Sequence, residues 1–150
     1  ALADDPALTN RLWSGPDPLR LVIDLSLRLP AHLQLFNRQV NTIVFNTLQH
    51  RQEDKLLYYQ VTQDVSIVHQ VLNALYQMNI QSVLVEGGAR LLQSFIDEGI
   101  WDEARIITRQ TLTVDEGLAA PVLTAARWLR RATYETDSID YYVNPQMVLS

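Results

Sequence analysis

Polar and apolar residues follow one another in short blocks along this chain, and the period of each block predicts its element. Leu19 to Leu25 holds the apolar run Leu21-Val22-Ile23 and closes on Asp24. Thr42-Ile43-Val44-Phe45 closes on Asn46-Thr47. Runs this short and rich in β-branched residues fit buried strands rather than helices. Leu56 to Val61 predicts a further strand. From Val65 to Met78 the period turns helical, with Val68, Val71, Leu72 and Leu75 on one face and Asp64 placed as N-cap.

Ser82 to Val85 returns to a strand pattern, read as buried on both faces, and Glu86 stands at its carboxyl end. Gly87-Gly88 make a turn, after which Leu91, Leu92, Phe95 and Ile96 line one helix face up to a C-terminal Gly99. Glu103 to Thr108 predicts another strand. Trp128 to Asp137 and Ile139 to Val143 pair as antiparallel strands across Asp137-Ser138. His32 to Asn37 forms a helical turn, Gln49 to Lys55 an exposed loop, and Thr111 to Pro121 a long loop. This order predicts an α/β fold with a mixed, mostly parallel sheet flanked by helices and antiparallel C-terminal strands.

At 150 residues the chain fits one domain. A hydrophobic fraction of 47% with 19% charged residues describes a folding chain rather than a disordered one. The net charge of −5, with no compensating basic stripe, argues against nucleic acid as partner. Arg127, Arg130 and Arg131 are read as a solvated cluster. The lack of cysteine removes a disulfide framework, a thiolate metal site and a thiol nucleophile together. It is compatible with a cytoplasmic location, which we expect. No apolar run reaches membrane-spanning length, and the opening Ala-Leu-Ala-Asp-Asp-Pro has no signal-peptide layout. His32, His50 and His69 have no metal-ligand spacing, so no metal is expected.

Chemistry concentrates at the strand, glycine turn and helix around Glu86. Ligands of open α/β sheets bind at the carboxyl ends of the strands. Two glycines there let a ligand approach the backbone, and the first helical amides face an anion such as phosphate. A tight turn without ligand accounts for the glycines equally well. Glu86, flanked by Val85 and the turn, is the candidate acid if it is partly desolvated; otherwise it braces the turn. Arg90 opposes the helix dipole unless an anion sits beside it; a solvated surface arginine is the plain reading. Of the adjacent Asp4 and Asp5, one faces a pocket while the other caps or meets water. Asp24 is read as structural, paired with Arg28, and Trp13 either stacks on a ring or pins its loop.

Three separated segments then resemble one family. They are Asp4-Asp5-Pro6-Ala7-Leu8-Thr9-Asn10-Arg11, the turn from Ile23-Asp24 to Leu27-Arg28-Leu29-Pro30, and Val85-Glu86-Gly87-Gly88-Ala89-Arg90-Leu91, running on to Trp101-Asp102-Glu103. In this order they resemble the reductase half of the bifunctional riboflavin-biosynthesis deaminase/reductase. The resemblance implies a dihydrofolate-reductase-like fold and NADPH-dependent reduction of a ribosylaminopyrimidine 5′-phosphate to its ribityl form. By position it implies that Leu8, Arg11 and Glu86 contact substrate, with Glu86 catalytic. Asp4, Thr47, Gly87, Gly88, Ala89, Arg90, Leu91 and Leu92 would contact the cofactor, and the family implies a homodimer.

The family's reductase domain begins with a strand, a helix and a second strand ahead of the Asp-Asp-Pro loop. These 150 residues hold no counterpart of them and none of the deaminase half. We therefore expect an N-terminally incomplete reductase domain. Two other readings stay open: a pteridine or folate reductase of the same fold, and an inactive nucleotide-binding or oligomerisation module.

Overall fold

The computed structural model describes residues 4–12, 14–109, 111 and 117–147. The chain forms two compact units, Ala1–Ser82 and Val83–Ser150. In the first, β1 (Arg20–Ile23), β2 (Thr42–Asn46), β3 (Arg51–Glu53) and β4 (Leu56–Gln60) form a sheet in the order β1-β2-β4-β3. β2 runs parallel to both β1 and β4, and β3 is antiparallel to β4.

Every residue of the central β2 is buried. Its pleat sends Ile43 and Phe45 to one face, where they pack with Val61 and with Val71, Ala74 and Leu75 of α1 (Ile67–Gln77). Thr42 faces the other way, toward the β1–β2 connection: its hydroxyl lies 3.2 Å from the Leu35 carbonyl and 3.1 Å from that of Val40. That connection carries a 3₁₀ turn at Gln34–Phe36, inside the expected helical turn, and buries Leu33 and Leu35.

The two predicted strands before Asn46 form as read, and α1 buries the predicted Val68, Val71 and Leu75 together with Ala74. Its start differs. The N-cap is Ser66, which caps through no side-chain hydrogen bond, not Asp64. Gln70 is the cause: it accepts from the Thr62 amide at 2.8 Å and donates to the carbonyls of Thr62 and Val65, both at 3.0 Å. This holds residues 62–65 as a turn. Asp64 belongs to that turn, and the Thr62 side chain keeps its carboxyl below the ordinary value.

The segment 49–55, expected as a loop, contains β3. Its polar side chains give no strand pattern, yet an edge strand needs no buried face: Arg51 pairs with Glu53 at 2.7 Å and its guanidinium lies over the Tyr58 ring.

The larger correction concerns residues 82–85. They form no strand, and Val83 and Leu84 are exposed, the latter at 80%. A continuous apolar run is buried as a strand only when neighbours pair with both of its edges. Among the described residues no strand pairs with this one.

The second unit holds α2 (Ala89–Asp97) and an antiparallel sheet of β5 (Glu103–Arg109), β7 (Asp137–Val143) and β6 (Arg127–Tyr134), with β7 central. α2 buries Phe95, and Gly99 follows it at φ +67°, its amide donating to the Ile96 carbonyl. Asn144 ties the end of β7 to the α2–β5 connection, donating from its backbone to Asp102 and from its side chain to Gly99, both at 2.9 Å. The β6–β7 turn falls at Glu135-Thr136, two residues ahead of the expected position, because Tyr134 pairs with Asp137. Glu135 takes the positive φ of +50° that a tight turn requires. The predicted loop over 111–121 falls in part on 112–116, outside the described residues. Among the described residues no helix is long and apolar enough to cross a membrane.

On β7, Asp140 is 7% exposed and accepts from Arg131 at 2.6 and 2.8 Å and from the Trp128 indole at 3.1 Å. Arg131 first, then Trp128, holds its carboxyl below the usual range. A depressed carboxyl contributes its stability above the unfolded value of about 4 and loses it as pH falls through the lower folded value. The protein is therefore expected to lose stability below about pH 4. Asp140→Asn should flatten that acid limb in a plot of Tm against pH; an unchanged limb contradicts the assignment.

Candidate active site

The loop bearing the Asp-Asp-Pro segment lies in the first unit and has a fixed shape. Asp5 and Leu8 adopt positive φ, +37° and +47°, unusual for residues other than glycine. The Asp5 carboxylate accepts from the Gln34 amide at 2.7 Å, and the Gln34 side chain returns a bond to the Asp5 carbonyl at 2.9 Å. Further on, the Asn10 amide donates to Asp17 at 2.8 Å. Asp5 is thus the aspartate that caps, while Asp4 is exposed. Leu8 is half-buried between these anchors, and Arg11, the residue after Asn10, is exposed.

A residue that sequence reading passed over holds the loop's middle. Arg20 opens β1, is 1% exposed, and donates to the Ala7 carbonyl at 3.2 Å. Burial pushes its guanidinium below the ordinary value, with Asp17 acting in the opposite sense. The signal for it was faint: a cation opening an otherwise apolar strand.

The strand ends are organised by side-chain caps. Asp24, after β1, accepts from the amides of Arg28 at 3.0 Å and Leu29 at 2.8 Å. Its carboxylate meets the Arg28 backbone rather than the expected side-chain partner. Asn46 ends β2 by accepting from the amides of Leu48 and Gln49. Thr47 then donates its amide and its hydroxyl to the Leu25 carbonyl at 3.0 and 2.9 Å. A cleft of about 220 Å³ in this unit is lined by Asp24, Leu27, Phe36, Arg38 and Tyr58 among others.

In the second unit Glu86, Gly87 and Gly88 are exposed. Partial desolvation of Glu86 by its own neighbours, the premise for an acid, is therefore not met. Gly88 is the N-cap of α2 at φ +77°, and the first helical bond runs from the Leu92 amide to its carbonyl. The amides of Ala89, Arg90 and Leu91 precede that bond, no acidic residue occupies the first turn, and Arg90 is exposed. A Cβ added at Gly87 would meet nothing within 4 Å. Open backbone, free helical donors and an adjacent cation fit the phosphates of a dinucleotide.

The sequence matches the family model of the RibD C-terminal domain over residues 1–112. The chain belongs to this family.

Members with curated functions include the 2,5-diamino-6-ribosylamino-4(3H)-pyrimidinone 5′-phosphate reductase of Methanothermobacter thermautotrophicus, 29% identical over 115 residues, covering 70% of this chain and 53% of that protein. The protein of the same name from Archaeoglobus fulgidus is 30% identical over 122 residues, covering 70% and 55%. The chain spans about half the length of these relatives. Among solved structures, the deaminase/reductase of Thermotoga maritima superposes with a TM-score of 0.80 at 23% identity, covering 95% of this chain and 42% of that one. The riboflavin biosynthesis reductase of Saccharomyces cerevisiae gives 0.74 at 21%, covering 95% and 70%. These likenesses confirm the expected α/β fold.

Within this RibD-family domain, the predicted site residues fall into two groups. Asp4, Leu8, Arg11 and Thr47 belong to the first unit, and Glu86 through Leu92 to the second. Trp13 lies outside the described residues. The three histidines are exposed, and no metal-ligating cluster occurs among the described residues.

Proposed function

We propose that this domain reduces a ribosylaminopyrimidine 5′-phosphate to the corresponding ribitylamino compound with NADPH. The observation that carries this reading is the match to the RibD C-terminal domain over residues 1–112, with pyrimidinone phosphate reductases as relatives at 29 and 30% identity. Bound NADPH supplies the hydride. Ala89, Arg90 and Leu91 hold its phosphates with their amides, Arg90 adds charge, and Gly87 and Gly88 keep the backbone open to it.

Arg11 binds the substrate phosphate through its forked guanidinium, and Leu8 packs beside the sugar. Hydride addition at the sugar carbon that bears the amine breaks the bond to the ring oxygen. That oxygen then takes a proton, and the family resemblance makes Glu86 our candidate to give it.

The test is NADPH consumption by the purified protein with the phosphorylated ribosylaminopyrimidine. Turnover is expected. Arg11→Ala should raise KM about 10- to 100-fold with kcat nearly unchanged, the signature of lost uniform binding through a charge-assisted contact. Reduction of a pteridine or folate in its place, or no reduction of any of the three, overturns the proposal.

A further inference from the structure

We propose that Arg20 is a positioning residue for the substrate loop, its buried guanidinium fixing the backbone immediately ahead of Leu8 and Arg11. The inference rests on the reading above, in which that loop receives the sugar phosphate.

All five N–H groups of Arg20 are in use. Nε donates to the Thr42 hydroxyl at 2.9 Å, and one terminal nitrogen to the carbonyls of Ala7 and Gln34 at 3.2 and 2.9 Å. The other terminal nitrogen donates to the Asn37 side chain and the Val40 carbonyl, both at 3.1 Å. Every one of these acceptors is neutral. A cation buried without a bonded carboxylate is costly, and an apolar side chain of similar volume would avoid that cost. What the arginine alone supplies is a planar fork reaching five points at once.

Four of those points lie in the sheet and the β1–β2 connection. Ala7 is the fifth and belongs to the loop. It sits between Asp5 and Leu8, two residues in the left-handed region that L-amino acids avoid. A free loop would relax out of that shape. The Asp5–Gln34 and Asn10–Asp17 bonds hold its two ends. The Arg20–Ala7 bond holds the middle and directs the chain into Leu8 and Arg11.

Arg20→Lys in the full chain is the test, with Thr42→Val as control. A lysine ammonium serves at most three of the five acceptors. Thr42→Val removes the Nε acceptor and weakens the fold without touching the Ala7 bond. Two quantities are read: trypsin cleavage after Arg11, and the Kd for ribose 5-phosphate. Arg20→Lys is expected to speed cleavage and weaken binding, each about tenfold, the loss of one charge-assisted bond. Thr42→Val should keep both within about twofold while lowering Tm.

If Arg20→Lys leaves either quantity within twofold of the parent, or if Thr42→Val shifts both equally, Arg20 merely supports packing and the proposal is overturned. Arg11→Ala separates the two levels. Unchanged affinity for ribose 5-phosphate in that variant removes the loop from substrate binding, whatever the cleavage rates show about Arg20.

Discussion

Glu86→Gln is expected to lower turnover about a hundredfold, the lower end of what a positioned proton donor contributes. Stability should stay within about 0.5 kcal/mol, because Glu86 is exposed and lies before the first turn of α2. Glutamine keeps the shape of the side chain and its capacity to bond a hydroxyl, but it cannot give up a proton. The variant therefore distinguishes two roles. A donor loses kcat with KM nearly constant; a group that only fixes a sugar hydroxyl raises KM and spares kcat. The carboxylate is open to water in the free chain, so a donor role requires bound substrate and cofactor to desolvate it. Steady-state kinetics beside a thermal melt of both proteins decide the matter. Unchanged turnover removes Glu86 from the chemistry.

How far the sequence could be read follows from what each element needs for its formation. β2 and α1 were legible because their own residues carry the signal: five buried positions in a row, and a stripe at helical spacing. α2 was legible for the same reason, with a glycine at each end. β3 was not, since an edge strand of Arg-Gln-Glu is held by pairing with β4, which no local pattern encodes. Residues 82–85 failed in the opposite direction. Their composition is that of a buried strand, but burial requires neighbours, and among the described residues none pairs with them.

The site divides along the same line. Glu86, the glycines and the Asp-Asp-Pro loop could be singled out as candidates because they form compact motifs. Asp24 showed its position at the strand's end but not its partners, which are backbone amides four and five residues on. Arg20 was missed altogether. Its five acceptors are spread from Ala7 to Thr42, and only folding collects them. A candidate contact can be nominated from a motif, whereas a residue that holds the motif in place depends on tertiary neighbours.

The glycine pair offers a prediction in which stability and ligand binding should part. Gly88 stands at φ +77° and ψ 103°, outside the regions open to an L-residue. A Cβ there would meet only Leu91 at an ordinary 3.8 Å, so the cost of Gly88→Ala is backbone strain rather than collision. About 1–2 kcal/mol of stability should be lost, visible as a lower Tm. Gly87 differs: it has no positive φ, and its added Cβ points into open space. Gly87→Ala should leave stability within about 0.5 kcal/mol of the parent. If dinucleotide phosphates lie against this backbone, the same methyl occupies the space they need, and the Kd for NADPH should rise at least about tenfold. Melting curves and NADPH titrations on both variants separate the possibilities. A Gly87→Ala protein that melts and binds NADPH like the parent would show that the pair serves only the turn into α2. The cofactor's phosphates would then have to rest elsewhere.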